Sequence, residues 1–154
     1  MEIMYNLFKN QVFLATLFSW LIAQMLKSII NLVRERPHST KEIILRFLWS
    51  TGGMPSSHSA VVTALATAAG FKYGLDSPAF IISFFYGFLI IRDALGVRRA
   101  AGMQAIAINQ LIAKLSKKDR QKIKMVKEIH GHKFAEVAVG VFLGFFIAVA
   151  FTNL

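Results

Sequence analysis

The stretch TGGMPSSHSA, residues 51–60, places two glycines, a proline, two serines and a histidine directly before an apolar, alanine-rich run. Pro55 suits the first turn of a helix, because its missing N–H is not needed there. Ser56 and Ser57 would then lie where free backbone N–H groups point outward, and such a helix N-terminus is a ready site for an anion. We expect His58 one turn further in, beside the bound anion.

Cations that could clamp a phosphate occur in two other segments. In the first apolar run, polar residues occur every three or four positions and form one stripe along a helix: Gln24, Lys27, Asn31 and Arg34. Lys27 and Arg34 are seven residues apart and therefore share a helix face. Arg98 and Arg99 follow the third apolar run. Arginine adds a planar fork that can bind two phosphate oxygens at once.

A histidine and a carboxylate, His132 and Glu136, stand at the start of the last apolar run. Structural explanations exist for all these groups: the cations could reach the membrane surface or anchor the topology. Glu136 could pair with a loop lysine, His58 could cap its helix, and His132 could be a loop histidine. Packing alone explains poorly why cations, two histidines and a carboxylate meet at one depth, and ionisable residues within a membrane protein indicate function.

The elements that must position these groups are apolar helices. The chain has 154 residues, 55% of them hydrophobic, and no cysteine. We therefore predict one all-α domain, 1–154, built as an integral membrane helical bundle. Four spans of about the length that crosses a bilayer are predicted: 12–33, 55–71, 79–97 and 134–151. The second span is weakly apolar and should be buried among the others. The N-terminus lacks the features of a removable signal peptide.

The basic residues predict the orientation. The net charge is +10, and most lysines and arginines fall in the loops 34–54 and 98–133. Basic residues crowd the cytoplasmic side of membrane proteins, so both loops should be cytoplasmic and nucleic acid is not the expected partner. A capping-box spacing predicts a short helix from Ser39, and 102–129 should form a basic helical hairpin on the membrane surface. The expected location is the inner cell membrane, with the site facing the cytoplasm.

Three segments resemble the divergent branch of the type 2 phosphatidic acid phosphatase family, which is related to acid phosphatases and vanadium-dependent haloperoxidases: GGMPSSHSA, RDALGVRRAAGMQA and GHKFAEVAVG. Lys27 and Arg34 keep the spacing of the family's first block, without its proline. Ser57 replaces the glycine of the Pro-Ser-Gly-His block. Glu136 replaces the aspartate four residues after the histidine of the third block. The arginine of that third block is missing at its usual spacing, so Arg98 or Arg99 is the expected substitute.

The resemblance implies a metal-independent phosphatase without a cofactor. His132 would form a phosphohistidine, Glu136 would orient its ring, and His58 would protonate the leaving group and then activate water. Asp93 is the alternative to Glu136 as the residue that orients the His132 ring, unless Asp93 pairs with a neighbouring cation. Phosphate ligands would be Lys27, Arg34, Ser56, Ser57, Arg98 and Arg99, with Asn31 in support. Because the predicted site lies among lipid headgroups, a lipid phosphate or diphosphate is the expected substrate: phosphatidylglycerol phosphate first, then phosphatidate and polyprenyl phosphates or diphosphates.

Two other functions stay open. The departures from the family motifs could mean a site without activity, and the protein would then bind or transport a lipid phosphate or act as a membrane scaffold. A metal site could instead form from His58, His130 and His132. The segment GVFLG, residues 140–144, offers a close-packing helix face, either within the chain or between the two copies of a homodimer.

Overall fold

The computed structural model describes residues 1–34, 53–115, 123–126, 128 and 131–153. These ranges contain helices and no strand, which confirms the predicted all-α class. The helices are α1 (Glu2–Lys9), α2 (Gln11–Arg34), α3 (Ser57–Tyr73), α4 (Pro78–Leu95), α5 (Val97–Lys114) and α6 (Phe134–Asn153).

Each of the four predicted spans coincides with a helix. Among the described residues, three helical stretches are long and apolar enough to cross a membrane: Gln11–Val33, Pro78–Lys114 and Phe134–Asn153. The helix of the second predicted span, α3, has 17 residues and is not one of these three. The third predicted span ran past Gly96, where α4 ends and α5 begins in the structure.

Helix α3 lies in the middle of the bundle and packs against α2, α4 and α6. The residues Ala60, Ala64 and Ala68 are fully buried, and their small side chains let the neighbouring helices approach closely. The prediction that this weakly apolar helix is buried among the others is thereby confirmed.

Two glycines of α6 bring it into backbone contact with α3. A β-carbon added to Gly140 would collide with the backbone oxygen of Ser56, and one added to Gly144 would collide with that of Ala60. Small residues four apart are a common way for helices to pack closely in membranes. Of the two alternatives for GVFLG, the structure shows packing within the chain, with α3 covering this face.

Contacts far from the polar clusters establish how the helices run. Lys72 Nζ at the end of α3 donates a hydrogen bond to Gln11 Oε1 at the start of α2, at 2.9 Å. The rings of Phe18 in α2 and Phe151 in α6 stack with their centroids 5.1 Å apart. Helix α2 is therefore antiparallel to α3 and α6. Consequently the end of α2 and the starts of α3 and α6 meet at one end of the bundle.

The first helix is a short element that the hydropathy pattern did not predict. All residues of α1 are exposed. Asn10 separates α1 from α2, because its side-chain oxygen accepts hydrogen bonds from Val12 N at 2.9 Å and Phe13 N at 3.2 Å. This capping ends one helix and begins the next.

The outer surface of the bundle is apolar. Large exposed side chains of α4 and α6 include Ile82, Phe85, Leu89 and Phe146, each at least 60% exposed. Contiguous apolar surface of this kind marks contact with a membrane or a partner, and the length of these helices matches a membrane.

One of the predicted cytoplasmic elements falls within the described residues. The helix expected in 102–115 is confirmed as the larger part of α5. The buried side chain of Asn109 binds the segment that returns towards α6. Its Oδ1 accepts from Val126 N at 2.9 Å, and its Nδ2 donates to Val126 O and to Glu128 Oε1, both at 2.8 Å. The predicted second helix of the hairpin is wrong at 123–126 and 128, which are not helical because Asn109 bonds the backbone of Val126. The rest of that basic half and the helix predicted from Ser39 lie outside the described residues.

Candidate active site

The start of α6 orients His132. Its ring Nδ1 lies 3.0 Å from Glu136 Oε2, and the same carboxylate oxygen accepts the backbone N–H of Lys133 at 3.2 Å. Glu136 therefore has two tasks at once: it caps α6, as a glutamate at the third helical position can, and it orients the His132 ring. A carboxylate only accepts, so in the neutral form of the ring Nδ1 carries the proton and Nε2 has the free lone pair. His132 is 8% exposed.

The start of α3 is fastened to the same residue. Ser56 N donates to the backbone oxygen of Glu136 at 2.9 Å. Its hydroxyl accepts from Ser59 N at 3.4 Å and from Ser59 Oγ at 2.9 Å, which makes Ser56 the N-cap of α3. The placement of Pro55 in the first turn was wrong, because the helix begins two residues later, at Ser57.

The capping bonds change which groups are open to an anion. Ser56 is fully buried and its N–H is already donated, while Ser57 is 5% exposed. The first helical residues, Ser57 and His58, have backbone N–H groups that find no acceptor within the helix. His58 is exposed and is the second residue of α3, nearer to the helix start than the sequence indicated.

His58 lies in a cluster of charges that come from several helices. The charges of Arg98, Lys27 and Asp93 act on it, and so does the ring of His132. These residues belong to α2, α4, α5 and the segment before α6, so the ends of separate elements meet around His58. The sequence predicted a shared depth, and the structure brings these side chains into electrostatic range of His58.

Lys27 is a buried cation within this cluster. It is 2% exposed, so the explanation that it extends to the membrane surface is wrong. The charge of Glu136 acts on Lys27 across the helix interface. Gly53 covers it: a β-carbon there would lie 3.9 Å from Lys27 Cγ and 3.8 Å from Asn31 Oδ1. Gly53 has φ of +86°, a conformation that favours glycine. Arg34 ends α2, and its side chain lies outside the described part of the structure.

The two arginines of α5 have different surroundings. Arg98 Nε bonds Asp93 Oδ2 at 2.6 Å, and both side chains are partly exposed. Asp93 therefore pairs with a neighbouring cation, as one of the two readings of the sequence had it. Arg99 is exposed, and its backbone lies against Gly131, where a β-carbon would collide with it. Arg98 is thus the arginine whose charge acts on His58.

The sequence interpretation missed two structural supports of the cluster. Ser59 completes the cap of α3, and its position three residues after Ser56 was the available signal. Gly131 lets the segment with His132 lie directly on α5. No sequence signal marked Gly131.

The described residues give no support to the metal alternative. Within 1–34, 53–115 and the described residues from 123 onward, no three His, Asp or Glu side chains are grouped to hold a metal ion. His130, the third member of that alternative, lies outside the described residues.

Comparisons with known proteins place the chain in a wider group. Residues 8–147 match the sequence profile of a family described as the divergent PAP2 family. An uncharacterized membrane protein of Bacillus subtilis (strain 168), YuiD, is 35% identical over 155 residues, which cover 94% of this chain and 95% of that protein. No solved structure matches the chain significantly.

Proposed function

This chain is a membrane protein of the divergent PAP2 family, and on that premise we propose that it hydrolyses the phosphomonoester of a membrane lipid through a phosphohistidine. The observation that carries the proposal is the double role of Glu136. Its carboxylate holds the ring of His132, and its backbone oxygen holds the residue two positions before His58. Glu136 thereby fixes the proposed nucleophile, His132, relative to the proposed proton donor, His58. Two-step phosphoryl transfer depends on such a fixed arrangement of the two groups.

In the first step, His132 Nε2 attacks the phosphorus while the bond from phosphorus to the lipid oxygen breaks. His58 gives its proton to that leaving oxygen. In the second step, His58 takes a proton from water, the resulting hydroxide attacks phosphorus, and the bond from phosphorus to nitrogen breaks. Inorganic phosphate leaves, and both histidines return to their starting states.

The cations stabilise the charge that accumulates on the phosphoryl oxygens. Lys27 and Arg98 are the proposed ligands, because both charges act on His58. The N–H groups of Ser57 and His58 would add the positive end of a helix. Arg34 and Arg99 stay predicted ligands. Because most of catalysis in phosphoryl transfer is positioning and charge stabilisation, these ligands should matter as much as the two histidines.

The location of the site favours a lipid substrate. The cluster lies at the ends of helices whose outer surfaces are apolar, which is the level of lipid headgroups. The basic loops next to it favour the cytoplasmic face of the inner membrane. A lipid phosphate of that leaflet, such as phosphatidylglycerol phosphate, is therefore the proposed substrate.

Phosphate release by the purified protein tests the proposal. Wild type, His58→Ala and His132→Ala are incubated in detergent with a panel of lipid phosphates, both with and without EDTA. We expect release by the wild type alone, and trapping of acid-labile phosphate on the wild type but not on His132→Ala. A folded wild type that binds inorganic phosphate and releases none from any lipid would instead indicate a lipid-phosphate binder or transporter. Release that EDTA abolishes would favour a metal-dependent reaction.

A further inference from the structure

Helices α4 and α6 both pack on α3 but make almost no contact with each other. They leave a trough whose floor is α3. The part nearer the active site has a volume of about 340 Å³, within the range of sites that bind small molecules, and a second hollow of about 330 Å³ shares Thr67 and Phe80 with it. Small residues, including Ala66 and Gly70, form the floor, while phenylalanines of α4 and α6 form the walls.

The trough begins next to the candidate site and runs away from it. Its first floor residue, Val62, lies one helical turn after His58 on the same side of α3. Its floor continues to Phe71, about 14 Å further along the helix at 1.5 Å per residue. The trough is therefore parallel to the helices of the bundle and extends from beside the cationic cluster almost to the far end of α3.

We propose that this trough binds one hydrocarbon chain of the phosphorylated lipid while its phosphate is held at His58 and His132. The inference rests on the proposed function and specifies its substrate as an amphiphile with a long linear chain. A cationic end that continues into an apolar channel is complementary to such a molecule in both charge and polarity. Because the trough is open to the outer surface of the bundle, the chain enters it sideways from the bilayer.

Filling the trough should weaken the use of long-chain substrates selectively. In Ala66→Phe a large ring occupies the floor, and Ala79→Phe makes the same change at an exposed position of α4 outside the trough. We expect Ala66→Phe to raise the KM for a long-chain phosphatidate by about tenfold or more, because the ring occupies the space of the chain and removes its packing contacts with α3. Hydrolysis of water-soluble p-nitrophenyl phosphate should be unchanged, and Ala79→Phe should resemble the wild type with both substrates.

Equal effects of Ala66→Phe and Ala79→Phe on the long-chain substrate would overturn the proposal. So would an equal loss with both substrates, since a specific chain site predicts a difference between them.

A binding experiment separates this inference from the proposed reaction. A long-chain lipid monophosphate with a photoreactive diazirine near the chain terminus is crosslinked to the wild type, His132→Ala and Ala66→Phe, and labelled peptides are identified by mass spectrometry. We expect labelling of 62–75 and 80–91 in the wild type and in His132→Ala, and its loss in Ala66→Phe. Such labelling without any phosphate release would keep the chain site and reject the reaction. Labelling spread evenly over all exposed helix faces would reject the chain site.

Discussion

Replacing Glu136 by glutamine should slow the reaction without unfolding the protein. Glu136 Oε2 lies 3.0 Å from His132 Nδ1, and the two side chains are only 17% and 10% exposed. The imidazole becomes positive as the phosphoryl group reaches Nε2. Two full charges at that distance attract by about 5 kcal/mol at an effective dielectric constant of about 20. With about half of the charge developed, the loss is about 2–3 kcal/mol, or about 100-fold in kcat.

The assay is steady-state phosphate release from the best lipid substrate in detergent, together with thermal unfolding. The amide oxygen of Glu136→Gln can still accept the N–H of Lys133, so the melting temperature should change little. Glu128→Gln is the matched control, because Glu128 contacts Asn109 rather than either histidine.

A kcat for Glu136→Gln within about threefold of the wild type, less than 1 kcal/mol of barrier, would refute the orienting role of the carboxylate. The same would follow if Glu128→Gln lost as much activity as Glu136→Gln. A melting temperature that fell in parallel with kcat would show that the carboxylate acts on the fold through its capping bond and not on the reaction.

Three further predictions test the neighbouring groups. Arg98→Ala should weaken inhibition by inorganic phosphate about tenfold or more, because a charged hydrogen bond to the phosphate is lost. Arg99→Ala should weaken this inhibition less, and the reverse order would make Arg99 the ligand. Gly140→Ala should lower the stability measured by thermal unfolding in detergent by about 1–3 kcal/mol, because its β-carbon overpacks the contact with α3. Val139→Ala is its control at an exposed position, and equal stabilities would contradict the close contact. A single cysteine in place of Lys118 should react with an impermeant maleimide only after the cells are opened, and labelling of intact cells would reverse the proposed orientation.

Much of the fold could be predicted because hydropathy and helix length are local properties. The spans at 12–33 and 134–151 agree closely with α2 and α6. The boundary of α3 was wrong by two residues, because Ser57 rather than Pro55 is the first helical residue. That choice depends on the bonds of the N-cap Ser56, which accepts from Ser59 and donates to the start of α6. Helix α1 was missed because it is short and every residue in it is exposed.

The residue types of the candidate site were readable from the sequence, but their contacts were not. The four-residue spacing of His132 and Glu136 predicted their contact, but His132 precedes α6, so the contact is part of the helix cap and does not lie within a helical turn. In contrast, the burial of Lys27 and the choice of Arg98 over Arg99 beside His58 depend on how the helices pack. Periodicity assigns a residue to a face of its own helix, and it does not specify which neighbour covers that face.

The hydrogen bond from Ser56 N to Glu136 O joins the backbones of α3 and α6. The glycines of α6 let the two helices come close enough for this bond to form. The spacing between the segments that carry His58 and His132 is therefore set by backbone atoms, and only proline at position 56 would lack the N–H that the bond needs. Sequence drift in the surrounding side chains can alter the rim of the site and its lipid preference while this spacing is inherited unchanged. Gly140 and Gly144 are the exceptions, since any larger residue there would move one histidine segment relative to the other.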